Sequence, residues 1–236
     1  MKQLNEYMHI FFDMDGTVTR SCTVATPEMK DALQCLRNSN RDVVIVSGQT
    51  VSMIKNNVPH TSFILGQNGN HAMETDADRE LWNETLSASE KKSILEHIAS
   101  IPRDWEVDDE NDLVMDRGPQ ISYSLLGYHA DKDKKEAFDP TGEKRKFLLE
   151  KTPFISETLE VKIGGTTTLD YIKKGFHKGF NIEKLITHNG WNKDDCLYIG
   201  DALYEGGNDE AVIGVIDTLH IANPEETLKK IQEILE

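Results

Sequence analysis

Four short runs of almost unbroken apolar residues set the frame of this chain: Ile10-Phe11-Phe12, Val43-Val44-Ile45-Val46, Phe63-Ile64-Leu65 and Cys196-Leu197-Tyr198-Ile199. A run this short that lacks alternation is buried on both faces, the condition of a central parallel strand. Each run stops at small or polar residues: Asp13-Met14-Asp15-Gly16-Thr17, Ser47-Gly48-Gln49-Thr50, Gly66-Gln67-Asn68-Gly69 and Gly200-Asp201. Helical patterns lie between them. Thr26-Pro27-Glu28 supplies a capping hydroxyl and a proline at the first helical position, followed by Met29, Ala32, Leu33 and Leu36. Val51, Ile54 and Val58 suggest a second helix, and Phe180, Ile182, Leu185 and Ile186 a third. Strand, helix, strand in this order is a βαβ unit with a parallel sheet. Residues 211–216 are expected to hold a helix end and a fifth strand, and Pro224 opens a closing helix that runs to Leu235.

From about residue 80 the texture changes. Leu81 to Ile101 reads as one amphipathic helix, with Leu86, Ile94, Leu95 and Ile98 at apolar positions. Trp105–Val107, Leu113–Asp116, Ile121–Leu125 and Leu159–Ile163 then alternate with period two, the mark of half-buried antiparallel strands. The Lys- and Glu-rich stretch from Asp131 to Glu150 is broken by Asp139-Pro140-Thr141-Gly142 into two helices. The fold expected is α/β: a Rossmann-like parallel-sheet core, residues 1–79 and 172–236, with an inserted α+β cap domain at residues 80–171.

Chemistry concentrates where the apolar runs stop. If strand geometry persists past Phe12, Asp13 and Asp15 share one face at the carboxyl end of the first strand, where open α/β sheets place ligands. Two carboxylates that close repel, so they need a cation, a shared proton or distinct roles. A magnesium ion and a phosphate ester use both, one acid as nucleophile and the other as proton donor. Asp201 stands at the end of another apolar run, followed by a glycine-rich turn and Asp209. Oxygen ligands from Asp13, the Asp15 backbone carbonyl and Asp201 suit magnesium, with Asp209 ligating directly or orienting a bound water. Ser47 is both a candidate phosphate contact and a candidate N-cap for the helix containing Met53 and Ile54. Lys178 at a helix start can offset the carboxylates and hold a phosphate, although a lysine there is more often a solvated surface group. Asn68-Gly69 is in the first place a turn signal.

The chain carries 26 basic and 41 acidic residues, a net charge of −15. Such a field repels nucleic acid and anionic membranes, so neither is an expected partner. No run approaches 18 apolar residues. Cys22, Cys35 and Cys196 follow no metal-ligand spacing and read as reduced thiols of a cytoplasmic protein.

In order and spacing, these motifs resemble the haloacid dehalogenase-like (HAD) phosphotransferase superfamily with a mid-chain, type IIB cap, and within it the eukaryotic-type phosphomannomutases. Asp13-Met14-Asp15-Gly16-Thr17 is similar to motif I, Ser47 to motif II, Lys178-Gly179 to motif III and Gly200-Asp201 to motif IV. Gly206-Gly207-Asn208-Asp209 is similar to the phosphomannomutase form of motif IV. The resemblance implies that Asp13 is the nucleophile, Asp15 the acid and base, and that Ser47 and Lys178 stabilise the transferred group. It further implies that Gly48 lies in the substrate-binding turn and that the metal, Mg2+, is held by Asp13, Asp15, Asp201 and Asp209. In the insert, Arg117-Gly118 looks like the mutase Arg-Asn-Gly, and Gly164-Gly165-Thr166-Thr167-Thr168-Leu169-Asp170 like Gly-Gly-x-x-Ser-x-Asp. Arg117 is thereby expected to bind a distal phosphate or the sugar, and Thr168 and Asp170 its hydroxyls. The cap is expected to govern which acceptor reaches the phosphorylated enzyme.

One departure separates the chain from the mutase pattern: a second phosphate-binding arginine belongs after a glycine at the end of a cap strand, where Gly127 is followed by Tyr128. A mutase must grip a bisphosphate at both ends, and a phosphatase needs no second clamp. The expected activity is therefore a Mg-dependent sugar-phosphate phosphatase acting through an aspartyl-phosphate, in a monomer or homodimer. The alternatives are phosphomannomutase, interconverting mannose 6-phosphate and mannose 1-phosphate, and a non-catalytic HAD-like binding protein. The presence of Asp13, Asp15, Lys178 and Asp201 together speaks against the last.

Overall fold

The computed structural model describes residues 2–20 and 23–236, so Cys22 lies outside the described residues. Two compact units are present, one made of Met1–Asn83 with Phe176–Glu236, the other of Glu84–Gly175.

The first unit is built on a seven-stranded sheet. Its strands are β1 (His9–Asp13), β2 (Asp42–Val46), β3 (Phe63–Gly66), β4 (His71–Glu74), β5 (Arg79–Asn83), β10 (Cys196–Gly200) and β11 (Asp217–His220). They lie in the order β11-β10-β1-β2-β3-β4-β5. Pairings from β11 to β3 are parallel, and β4 and β5 add an antiparallel edge. The chain leaves β1 towards β2 on one side and returns to β10 on the other. The carboxyl ends of β1 and β10 therefore flank a topological switch point, where such sheets open a crevice for ligands.

Side-chain parity sorts the two faces. Ile10, Phe12, Val43, Ile45, Leu197 and Ile199 meet α1 (Pro27–Asn38), α2 (Val51–Asn57) and α7 (Pro224–Leu235). Phe11, Val44, Val46, Leu65 and Tyr198 meet α6 (Lys178–Asn189) through Ile182, Leu185 and Ile186. Asp13 has the parity of Phe11, which places it on the α6 face.

The second unit holds a four-stranded antiparallel sheet of β6 (Val114–Asp116), β7 (Ile121–Ser124), β9 (Thr168–Lys173) and β8 (Leu159–Gly164), in that order. Ile121, Tyr123, Leu169 and Tyr171 face a core shared with Ile94 of α3 (Ala88–Ser100) and Leu148 of α5 (Glu143–Lys151). The opposite parity brings Ser122 beside Asp170 and Ser124 beside Thr168. The break between α4 (Lys132–Phe138) and α5 is where Asp139-Pro140-Thr141-Gly142 predicts it.

Several expectations are corrected. Leu81–Ile101 is not one helix: β5 occupies its start and α3 begins only at Ala88, with Ser87 accepting the Glu90 N–H in a capping box. The second unit accordingly spans residues 84–175 rather than 80–171, because β5 pairs with β4 in the first unit's sheet and β9 runs on to Lys173. Trp105–Val107 forms no strand; the Trp105 indole N–H instead donates to the Leu125 carbonyl at 2.7 Å. The fifth parallel strand is Asp217–His220, not within residues 211–216, where a 3-10 turn and a reversal at Gly214 intervene.

Candidate active site

Asp13 is the last residue of β1, and the strand stops there; Asp15 enters an isolated bridge with Thr19. The geometry assumed for a continuous strand is thus broken, and the two carboxylates face different partners. A left-handed Gly16 (φ +87°) makes the exit, and its N–H donates to the Thr19 carbonyl at 2.7 Å.

Lys178 is the first residue of α6, whose N-cap is His177. It is not a solvated group: it is 1% exposed, and its ammonium donates to Asp13 Oδ1 at 2.5 Å and Asp209 Oδ1 at 2.6 Å. Tyr198, on β10 in register with Phe11, donates its hydroxyl to the same Asp209 oxygen at 2.6 Å. Asp209 Oδ2 accepts the Ala202 N–H at 3.3 Å, so that carboxylate is committed to protein donors. Burial lowers the affinity of Lys178 for its proton, but Asp13 and Asp209 outweigh it and raise its pKa. Burial pushes Asp13 up to about 7 against the pull of Lys178, with Asp209 and Asp201 adding in the same upward direction. Asp201 is raised by burial and by Asp209, and Thr17 donates to it at 3.4 Å.

Carboxylate oxygens of Asp13, Asp201 and Asp209 lie within 4.8 Å of one another. Asp13 Oδ2 is buried and has no hydrogen-bond partner. An all-oxygen set with one orphaned carboxylate oxygen fits a hard divalent cation. The glycines keep this cluster tight: a Cβ on Gly16 would stand 2.5 Å from Asp201 Oδ2, and one on Gly200 2.4 Å from Asp209 Oδ2. The Asp15 side chain lies outside the cluster and accepts from Gln49 Nε2 at 2.7 Å.

Ser47 follows β2 directly and is buried; its hydroxyl accepts the Gln49 N–H at 3.1 Å. It does not cap α2, because Thr50 does, accepting the Met53 N–H. A Cβ on Gly48 would meet only Asn68 Oδ1 at 3.8 Å, so no close packing demands glycine there.

In the second unit, Arg117 sits in the β6–β7 turn, its N–H donating to the Gln120 carbonyl at 2.8 Å. Its guanidinium lies 5.7 Å from the ring of Tyr128. Lys135 is 5.8 Å from the same ring and donates to the Tyr128 carbonyl at 2.9 Å. Burial raises the pKa of Asp170 against the pull of Ser122 and Arg117. Thr168 donates to the Gly164 carbonyl at 2.6 Å, and a Cβ on Gly164 would stand 2.0 Å from Asp170 Oδ2.

The haloacid dehalogenase-like hydrolase profile matches residues 10–211. The chain belongs to the haloacid dehalogenase-like hydrolases. Its curated relatives include phosphomannomutase from Spinacia oleracea, 22% identical over 238 residues, and phosphomannomutase 1 from Dictyostelium discoideum, 23% identical over 241 residues. Each match covers 94% of both chains. Solved structures that share the fold include the following two. A haloacid dehalogenase-like hydrolase from Bacteroides thetaiotaomicron gives a TM-score of 0.63 at 16% identity, over 95% of this chain and 92% of that one. The N-terminally truncated, IMP-bound IMP-nucleotidase of Plasmodium falciparum gives 0.64 at 15%, over 97% of this chain and 68% of that one. Family and relatives together mark this haloacid dehalogenase-like hydrolase as an enzyme of phosphoryl transfer, a phosphatase or a phosphomannomutase. Among the described residues, no helix is long and apolar enough to cross a membrane.

Sequence reasoning passed over Gln49, Thr17 and Tyr198. Tyr198 had a signal of its own, being the one polar side chain inside a buried strand that ends at the site. Gln49 and Thr17 stood inside turns read for other residues.

Proposed function

We propose that this enzyme is a Mg2+-dependent phosphatase of sugar monophosphates that works through an aspartyl-phosphate on Asp13. The observation that carries the reading is the buried Asp13 carboxylate, held by Lys178 on one oxygen and left without a partner on the other. A carboxylate oxygen of Asp13 attacks phosphorus, and the ester P–O bond breaks as Asp15 gives its proton to the departing sugar oxygen. Asp15, now a carboxylate, takes a proton from water as that water attacks the aspartyl-phosphate. Lys178 keeps positive charge against Asp13 throughout, and Ser47 offers a hydroxyl to the transferred group. Asp13 and Asp201, with the Asp15 carbonyl, would hold Mg2+, and Asp209 would act by fixing Lys178. The cation, when bound, supplies positive charge to the phosphoryl oxygens and to the crowded carboxylates.

Arg117, Thr168 and Asp170 are assigned to the sugar. The phosphatase reading rests on the second unit's charge: where a second anion clamp is needed, Tyr128 stands, and Lys135 is engaged with its backbone. The mutase reading has its own support in relatives named phosphomannomutase, aligned across nearly the full length.

One assay separates them. Sugar monophosphates, including mannose 1-phosphate, are turned over with Mg2+ and a trace of hexose 1,6-bisphosphate, and phosphate and hexose 6-phosphate are measured together, with Asp13→Asn as control. Phosphate release that is lost in the control supports the phosphatase. Hexose 6-phosphate without matching phosphate makes the enzyme a mutase, and silence of the wild type across the panel overturns both readings.

A further inference from the structure

Gln49 stands at the end of β2 with its backbone fixed from both sides. Its N–H donates to Ser47 Oγ at 3.1 Å, and its carbonyl accepts the Gln67 N–H at 2.8 Å. Its side chain reaches across to the first strand's exit, where Nε2 donates to Asp15 Oδ2 at 2.7 Å. Once Asp15 has given up its proton, its carboxylate accepts and cannot donate, so in that state the amide turns its nitrogen to Asp15. The other end, Oε1, is buried and has no hydrogen-bond partner in the protein. Leaving such an acceptor unmet costs ~1–3 kcal/mol, and the cost recurs at functional sites when the missing donor arrives with the reaction.

We propose that Gln49 is the positioning residue for the hydrolytic water, whose two hydrogens are divided between Asp15 and Gln49 Oε1. This rests on the phosphatase reading above. The pair of acceptors has the valence of water: one O–H points to the Asp15 carboxylate, the other to the amide oxygen, and a lone pair is left to face phosphorus. A sugar hydroxyl carries only one hydrogen and cannot satisfy both. The same two groups therefore bias the aspartyl-phosphate towards water over an alcohol. In the step itself the water oxygen bonds to phosphorus, and the P–O bond to Asp13 breaks with its electron pair returning to the Asp13 carboxylate. One water proton passes to Asp15, and the other stays on the new phosphate oxygen, still directed at Gln49 Oε1. Because Gln49 acts only after Asp15 has become a carboxylate, it bears on the second step and not on the first.

That separation gives the test. With p-nitrophenyl phosphate the leaving group needs no proton, so the first turnover reports attack by Asp13 alone, and steady-state phosphate release reports both steps. Gln49→Met keeps the side-chain length and removes both polar atoms; Gln49→Glu keeps an acceptor and adds charge beside Asp15. For Gln49→Met we expect a first-turnover nitrophenol burst within about threefold of wild type. Steady-state phosphate release should fall ~10–100-fold, at or below the low end of what a lost acid–base partner costs, because Asp15 itself remains. In added glycerol, the share of phosphoryl transferred to the alcohol should rise several-fold over wild type. Burst and steady state falling together would overturn the inference, because Gln49 would then serve only to place Asp15 or the β2 turn. An unchanged steady state, or an unchanged water-to-glycerol ratio, would overturn it as well. Gln49→Glu guards against misfolding as the cause: a recovered burst with slow release supports the water site, and a recovered release rate refutes a need for the neutral amide. A wild type that releases no nitrophenol at all fails at the proposed function itself, and the inference falls with it.

Discussion

Arg145 is the residue whose removal should do most to the second unit. Its side chain is 4% exposed and that of its partner Asp139 3%, with Nε donating to Asp139 Oδ2 at 2.7 Å. Nη1 donates to the carbonyls of Gly164 at 2.6 Å, Gly165 at 3.0 Å and Thr168 at 3.3 Å. One guanidinium thus ties the break before α5 to the turn that carries Thr168 and Asp170. In Arg145→Met the Asp139 carboxylate keeps only the N–H groups of Lys144 and Arg145. Breaking a buried ion pair by deleting one partner costs ~3–5 kcal/mol, and the Gly165 and Thr168 carbonyls, which lose this donor as well, place this case in the upper half of that range. For a unit of this size, each kcal/mol lowers the midpoint by about 4–8 °C, so its transition should fall by 15 °C or more in calorimetry of the full chain. Asp139 also gives the loss a pH signature. Burial works to raise its pKa, but Arg145 and the two N–H groups hold it below the ordinary carboxylate value. A carboxylate whose folded pKa is depressed contributes stability above its unfolded pKa, lost as pH falls through the folded one. The gap between wild type and Arg145→Met should therefore narrow below about pH 4. The double variant Asp139→Asn/Arg145→Met strands no charge and should be more stable than Arg145→Met. A single variant that costs under about 1 kcal/mol, or a double variant less stable than it, would refute the account.

Three further outcomes follow from the first unit. Asp13→Asn should lower turnover by at least ~1,000-fold, the loss of a nucleophile, while circular dichroism stays that of wild type. Gly16→Ala meets both a φ of +87° and an Asp201 oxygen 2.5 Å from the new Cβ; it should raise the Mg2+ concentration for half-maximal activity, measured by titration against phosphate release. Tyr198→Phe removes one of the two side-chain donors on Asp209 Oδ1 and should cost about 1.5–3 kcal/mol in urea unfolding, the scale of a buried hydrogen bond to a charged group.

How much of this could be read beforehand depends on how local the cause is. The four apolar runs gave β1, β2, β3 and β10, because burial on both faces leaves no polar position in a strand. Pro27 and Pro224 marked helix starts for reasons held within one turn of chain. β4 and β5 escaped notice since an edge hairpin has a wet face, and Leu81, Trp82 and Leu86 imitate helical spacing when their partners are out of view. Trp105 alternates like a strand residue but is placed by a distant carbonyl, that of Leu125.

The same division runs through the site. By itself the sequence determined that acids would stand where buried strands end, since a carboxylate cannot continue an apolar run and must open onto a crevice or a cation. It also named Lys178, but only its order in the chain raised it above a surface lysine. Tertiary structure alone decided the rest. The parity of β1 turns Asp13 to the α6 face, where the first helical residue can reach it, and the end of the strand at Asp13 sends Asp15 to Gln49 instead. Register across β1 and β10 puts Tyr198 under the pair. Alternation fixes which side of a strand a residue takes; which neighbour waits there is set by the packing of segments 165 residues apart, and no local pattern records it.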